Sequence, residues 1–104
     1  MKHDFKAKIF YLLTKDGGRR TPAFSGYRPH VKFEGHEYLT SGHQTFLDKE
    51  EVFPGEHIMV DIAILSPDFF AGKLHEGMKF EIGEGARVVG RGEILEIYNK
   101  DLLI

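Results

Sequence analysis

Apolar and polar residues alternate with a two-residue period in several short runs along this chain, and no segment of helical length sustains a 3.6-residue pattern. The runs are bounded by Gly or Pro, which predicts an all-β fold. The first spans Phe5 to Leu13 and sets Phe5, Ala7, Ile9, Tyr11 and Leu13 on one face. Lys6 and Lys8 begin the other face, where Phe10 and Leu12 imply burial as well. A loop from Lys15 to Gly26 follows, long enough for a functional loop rather than a tight hairpin. The next strand, His30 to Glu34, points Val31 and Phe33 inward. Gly35 and Gly42 then bracket a hairpin-like excursion, and Gln44 to Leu47 reads as another short strand.

Pro54-Gly55 is a turn signal, and the clearest strand comes straight after it. From His57 to Leu65, Ile58, Val60, Ile62 and Ile64 share one face, which is predicted core. Ser66-Pro67 stops this strand, and the irregular stretch Asp68 to Gly77 offers Phe69 and Phe70 to close one end of a barrel. Met78, Phe80 and Ile82 alternate with Lys79 and Glu81 in a fifth strand. Gly83 and Gly85 mark a turn before the last strand, Arg87 to Tyr98. There Gly90 and Gly92 suggest a bulge or a close backbone approach. The apolar parity switches from Ile94 to Leu95 and Ile97, as in a bent barrel strand.

Composition supports one packed unit. The chain has 104 residues, 41% hydrophobic and 12% aromatic, with nine Phe and four Tyr, enough for a core without disulfides or metal. Cysteine is absent, which excludes disulfides, thiol nucleophiles and cysteine-based metal sites. The amino-terminal residues lack the apolar run of a signal peptide and no stretch approaches a membrane span, so a cytoplasmic protein without membrane contact is expected. The net charge of −2 conceals an asymmetry. Residues 1 to 33 carry eight Lys and Arg against Asp4 and Asp16, a surplus of +6; the remainder carries six against fourteen, or −8. Such a split points to a polyanionic partner on one face, unless interleaved strands cancel it in space.

Three groups of residues then specify a resemblance. Gly17-Gly18-Arg19-Arg20-Thr21-Pro22 leads into Gly26-Tyr27-Arg28-Pro29; Pro54-Gly55-Glu56 follows; and Met78 to Gly92 reads Met-Lys-Phe-Glu-Ile-Gly-Glu-Gly-Ala-Arg-Val-Val-Gly-Arg-Gly. In order and spacing they resemble the C-terminal, third domain of elongation factor Tu, over about residues 5 to 98. The resemblance implies a closed six-stranded antiparallel Greek-key barrel comprising residues 1–104. Met1 suggests that it stands alone, detached from any GTPase. In that family the barrel touches the T-stem of aminoacyl-tRNA and packs against the GTPase domain. Arg19 and Arg20 match the pair that reaches the tRNA backbone, with Arg20 where the family usually has His. Glu84 and Gly85 match positions near the tRNA, and His30 replaces a Gln close to the tRNA and the domain interface. Gly83 replaces an Arg, Ala86 a Gly and Val88 a Thr associated with regulation. Short insertions fall around Tyr38 to Gln44 and Phe69 to His75.

The candidate RNA-binding residues are therefore Arg19, Arg20, Arg28, His30, Lys32, Glu84 and Gly85. The basic ones suit phosphate contacts, which add salt-dependent affinity and no sequence readout. The other reading is a solvated loop in which Arg28 pairs a carboxylate to hold the Tyr27-Pro29 corner and Tyr27 is a packing residue. No catalytic constellation is found. The six His are scattered, and His36 and His43, the two within one predicted hairpin, match no ligand spacing. Glu50-Glu51 and Glu93 with Glu96 are tied to no nucleophile, and Ser25, Ser41 and Ser66 lack an elbow motif or a base. The chain has no Gly-x-x-x-x-Gly-Lys-[Ser/Thr] loop, so neither GTP hydrolysis nor any cofactor, nucleotide or otherwise, is expected of it. The expectation is a translation-associated, non-catalytic binding module that contacts tRNA or another structured RNA. The alternative is an interaction or decoy module that binds a translation GTPase in trans, or a regulator of elongation factor Tu. A third is recruitment of the fold to a small-molecule pathway.

Overall fold

The computed structural model describes residues 2–104. Six strands close into an antiparallel barrel: β1 (Phe5–Tyr11), β3 (His30–Phe33), β4 (Thr40–Phe46), β6 (His57–Ile64), β7 (Lys79–Glu84) and β8 (Arg87–Ile97), in the spatial order β1-β6-β4-β3-β7-β8. A two-stranded ribbon of β2 (Ala23–Phe24) and β5 (Glu51–Val52), which the alternation pattern did not announce, lies outside it. β3, β4 and β6 pair in succession, and β1 lies beside β6 instead of β3. The chain therefore crosses one barrel end between β1 and β3, giving the expected Greek key. Among the described residues there is no α-helix, only three short 3-10 turns, and no helix long and apolar enough to cross a membrane.

Inward positions follow the alternation. Phe5, Ala7, Ile9, Val31, Phe33, Ile58, Val60, Ile62, Phe80, Ile82, Ile94 and Ile97 are all buried, and each large one contributes about 1.5–3 kcal/mol by leaving water. Three expectations change. β1 ends at Tyr11, because the chain turns into the 3-10 segment Thr14–Asp16, and Leu13 stays exposed. Gly42 lies inside β4 instead of bracketing a hairpin: a Cβ there would sit 2.7 Å from Val31 Cγ2 and 3.1 Å from Ile62 Cγ2, so the inner wall needs its missing side chain. Leu95 faces outward, because the β1–β8 register pairs Lys6 with Glu96 and Ala7 with Ile94, leaving Leu95 as the extra residue of a bulge. Gly92 fulfils the other expectation for β8, since a Cβ there would lie 2.3 Å from Phe80 Cζ.

The register gives the barrel two unlike ends. Phe5, Phe33 and Phe80 meet edge to face at 5.9–6.0 Å at one end, and Phe33 meets Phe70 at 5.1 Å. Phe70 belongs to the 3-10 turn Pro67–Phe70, which with Leu74 and Leu102 seals this end as expected; Phe69 remains half exposed. Buried Asp4 ties both chain termini here, accepting from the Ile64 amide at 2.8 Å and from Asn99 Nδ2 at 3.0 Å. The other end holds Tyr11, Gln44, Tyr27 and Glu84, under the long β1–β3 connection.

Candidate nucleic-acid interface

The β1–β3 connection places its first arginine by local contacts. Thr14 Oγ1 donates to the Arg19 carbonyl at 2.5 Å. The Arg19 guanidinium then folds back, its Nε donating to the Thr21 carbonyl at 3.3 Å and its Nη2 to Thr21 Oγ1 at 3.2 Å. Nη1 donates to Glu84 Oε2, and the guanidinium carbon lies 4.5 Å from the Tyr27 ring centroid. The Tyr27 hydroxyl donates to the same carboxylate oxygen. Across the two-residue turn Gly85-Ala86, Arg87 Nη2 donates to Glu84 Oε1 at 3.4 Å. Only Gly85 of these two takes a positive φ, +59°, the requirement of a II′ hairpin turn.

Three donors thus converge on one carboxylate at the barrel mouth. Burial works to raise the Glu84 pKa, yet the Tyr27 hydroxyl, Arg19 and Arg87 overcome it and hold the group below the usual carboxylate value. Burial and the Glu84 hydrogen bond push the Tyr27 phenol up, so it stays protonated as a donor. Burial opposes the charge on Arg19, and Tyr27 and Glu84 more than offset it. One layer deeper, the buried Tyr11 hydroxyl donates to Gln44 Oε1 at 2.7 Å, with the Tyr11 and Tyr27 rings 6.2 Å apart.

The outcome is a shallow open depression lined by Arg19, Arg20, Thr21, Glu84 and Arg87. Arg19 is engaged inward; Arg20 is exposed and forms no ion pair among the described residues. Arg87 is half exposed on the opposite rim. Three guanidiniums against one carboxylate leave net positive charge around a concave surface, an arrangement that attracts anions and phosphate esters.

The structure brings Arg19, Arg20, Glu84 and Gly85 together, and spreads the remaining candidates along the outside of β3. Arg28, just ahead of the strand, is exposed and forms no ion pair among the described residues, so it does not pin the Tyr27-Pro29 corner through a carboxylate. His30 lies across from Gly83, where a Cβ would fall 2.4 Å from its Nε2; the two positions at which this chain departs from the Gln and Arg of the resembled pattern therefore face each other. Lys32 is farther down the wall, opposite Glu81, which pairs with Arg91 at 3.7 Å. Cancellation of the charge asymmetry is thus partial. Arg19 meets Glu84 and Lys32 faces Glu81 across the interleaved strands, while Arg20 and Arg28 stay uncompensated.

Sequence reasoning did not single out Arg87 or Gln44, nor the hydroxyl of Tyr27. The Glu84-Gly85-Ala86-Arg87 hairpin, which sets opposite charges face to face across a two-residue turn, was the available signal for Arg87. Gln44, a polar residue at an inward strand position, carried no signal without its partner Tyr11. No group of three or more His, Asp or Glu suited to a metal occurs among the described residues. The family model described as the elongation factor Tu C-terminal domain matches residues 1–98. With the closed six-stranded barrel, this shows that the chain belongs to the elongation factor Tu C-terminal domain family.

Proposed function

We propose that this translation-associated domain is a non-catalytic binding module of the cytoplasm whose Arg20–Arg87 end contacts tRNA or another structured RNA. The observation that carries the reading is the charge state of the barrel mouth. Glu84 is saturated by Arg19, Tyr27 and Arg87, so it holds the loop in place, and the exposed Arg20 guanidinium is free for a phosphate. Arg19 acts by positioning. Arg20 and Arg87 make the phosphate contacts, Gly85 lets a backbone approach the turn closely, and Arg28, His30 and Lys32 extend the track along β3. Without its Glu84 anchor the loop would present Arg20 at no fixed place, at a cost in affinity for ordering it on binding.

Binding of labelled tRNA, measured by fluorescence anisotropy over a series of salt concentrations, tests this reading. Affinity is expected to fall steeply with salt, by about one unit of log–log slope per phosphate contact. Binding that ignores salt, or capture of a protein such as a translation GTPase through the β3–β7–β8 wall with no RNA affinity, supports the interaction-module reading instead.

A further inference from the structure

Two exposed aromatic rings at the phenylalanine-sealed end are unexplained by the RNA reading. Tyr38, from the β3–β4 connection, and Phe69, from the β6–β7 connection, pack edge to face at 4.8 Å while remaining 62% and 50% exposed. They are held from beneath: Phe69 meets Phe70 at 5.8 Å, and Phe70 meets core Phe33 at 5.1 Å. Leu39 and Leu65 are exposed at the same end, where the Leu65 amide donates to the Ser41 carbonyl at the start of β4. The pair thus forms an apolar knob braced on the core, the kind of anchor that dominates protein interfaces.

Charge identifies the occupant. The Lys73 ammonium lies 5.7 Å from the Phe69 ring centroid and pairs with no carboxylate among the described residues. Glu37 and Asp68, the chain neighbours of Tyr38 and Phe69, are exposed and pair with no cation among the described residues. A knob that carries unpaired charges of both signs offers a second copy of itself complementary charge: a two-fold axis through the knob would set each Lys73 against Glu37 and Asp68 of the other copy. We propose that this end is a homodimer interface, centred on Tyr38 and Phe69 and oriented by Lys73 against Glu37 and Asp68. The two basic ends then point away from each other, and the dimer stands whether or not they bind RNA.

Sedimentation velocity on the full chain, from micromolar to millimolar concentration, tests the proposal. A monomer–dimer equilibrium is expected, and Phe69→Glu, a change at a surface ring, is expected to raise the dissociation constant more than about tenfold. Lys73→Glu alone, and Glu37→Lys with Asp68→Lys, are each expected to weaken self-association, and mixing the two variants is expected to restore a heterodimer. Unchanged circular dichroism in each variant shows that folding is intact. A monomer at every concentration, a dimer indifferent to Phe69→Glu, or charge-reversed variants that fail to complement each other would overturn it.

Discussion

At one end of the barrel Phe5, Phe33, Phe70 and Phe80 interlock edge to face, and at the other Tyr11, Gln44, Tyr27, Glu84 and Arg19 are joined by directed contacts. Both close the same cylinder. The rings of the aromatic end are held by burial, which is proportional to area and not directional, with the Asp4 carboxylate tying the chain beside them. The polar end is held by hydrogen bonds to an ionised carboxylate, which depend on geometry and protonation. A barrel closed by phenylalanine at both ends would have no fixed place for an arginine-bearing loop. Stability is thus concentrated at one end, and the recognition we propose at the other.

Truncation of a core ring separates the ends most sharply. Phe33→Ala removes a buried ring that touches three others and is expected to cost about 3–5 kcal/mol, read from the denaturant midpoint, while leaving the RNA affinity of the folded fraction unchanged. A smaller loss, about 1–3 kcal/mol, is expected for Tyr27→Phe, which deprives Glu84 of a donor; here RNA affinity falls too, because the carboxylate that anchors Arg19 is held by one hydrogen bond fewer. Arg20→Ala with Arg87→Ala costs about 0.2–1 kcal/mol of stability, nearly all through the exposed Arg87–Glu84 ion pair. Its expected signature is a log–log salt slope shallower by about two for RNA binding, one for each lost phosphate contact.

Acid distinguishes the ends in another way. The folded-state pKa of Glu84 lies below its ordinary value of 4.5, so its stabilising contribution is complete above that pH and is lost as pH falls through the folded value. Glu84→Gln is therefore expected to flatten the acid limb of the stability profile, whereas Phe80→Leu lowers the whole curve without changing its shape. The smallest effect is at high pH. Burial and the Asp61 hydrogen bond push the Tyr98 phenol up to about 12, so its ionisation in the unfolded chain above about pH 10 draws stability away; Tyr98→Phe removes its share of that slope and leaves the shares of the more deeply buried Tyr11 and Tyr27.

The barrel's inner wall was largely legible in the chain, because burial follows alternation: Ile58, Val60 and Ile62 read as core and are core. The parity switch marks the bend that β8 makes, but neither the role of Gly42 nor the residue left over at the bulge, Leu95, is legible, for a shared reason. A turn glycine and a glycine at a close approach look alike in one dimension, and a parity switch shows that a bulge is present without showing which residue it leaves over. The polar end was legible only as a set of charges. Arg19 and Arg20 are neighbours of one type, and nothing in their identities says that one turns inward to Glu84, 65 residues away, while the other stays in solvent. The β2–β5 ribbon, two residues per strand, is too short for any period to show.

Amide chemical-shift mapping by NMR during titration with a tRNA-stem duplex tests the division between the ends most directly. Shifts are predicted at residues 19–21, 28–32 and 84–88, and to be absent from Tyr38 and from residues 65–74. Shifts centred on Phe69 and Phe70, or none anywhere at low salt, would contradict the assignment of RNA recognition to the Glu84 end.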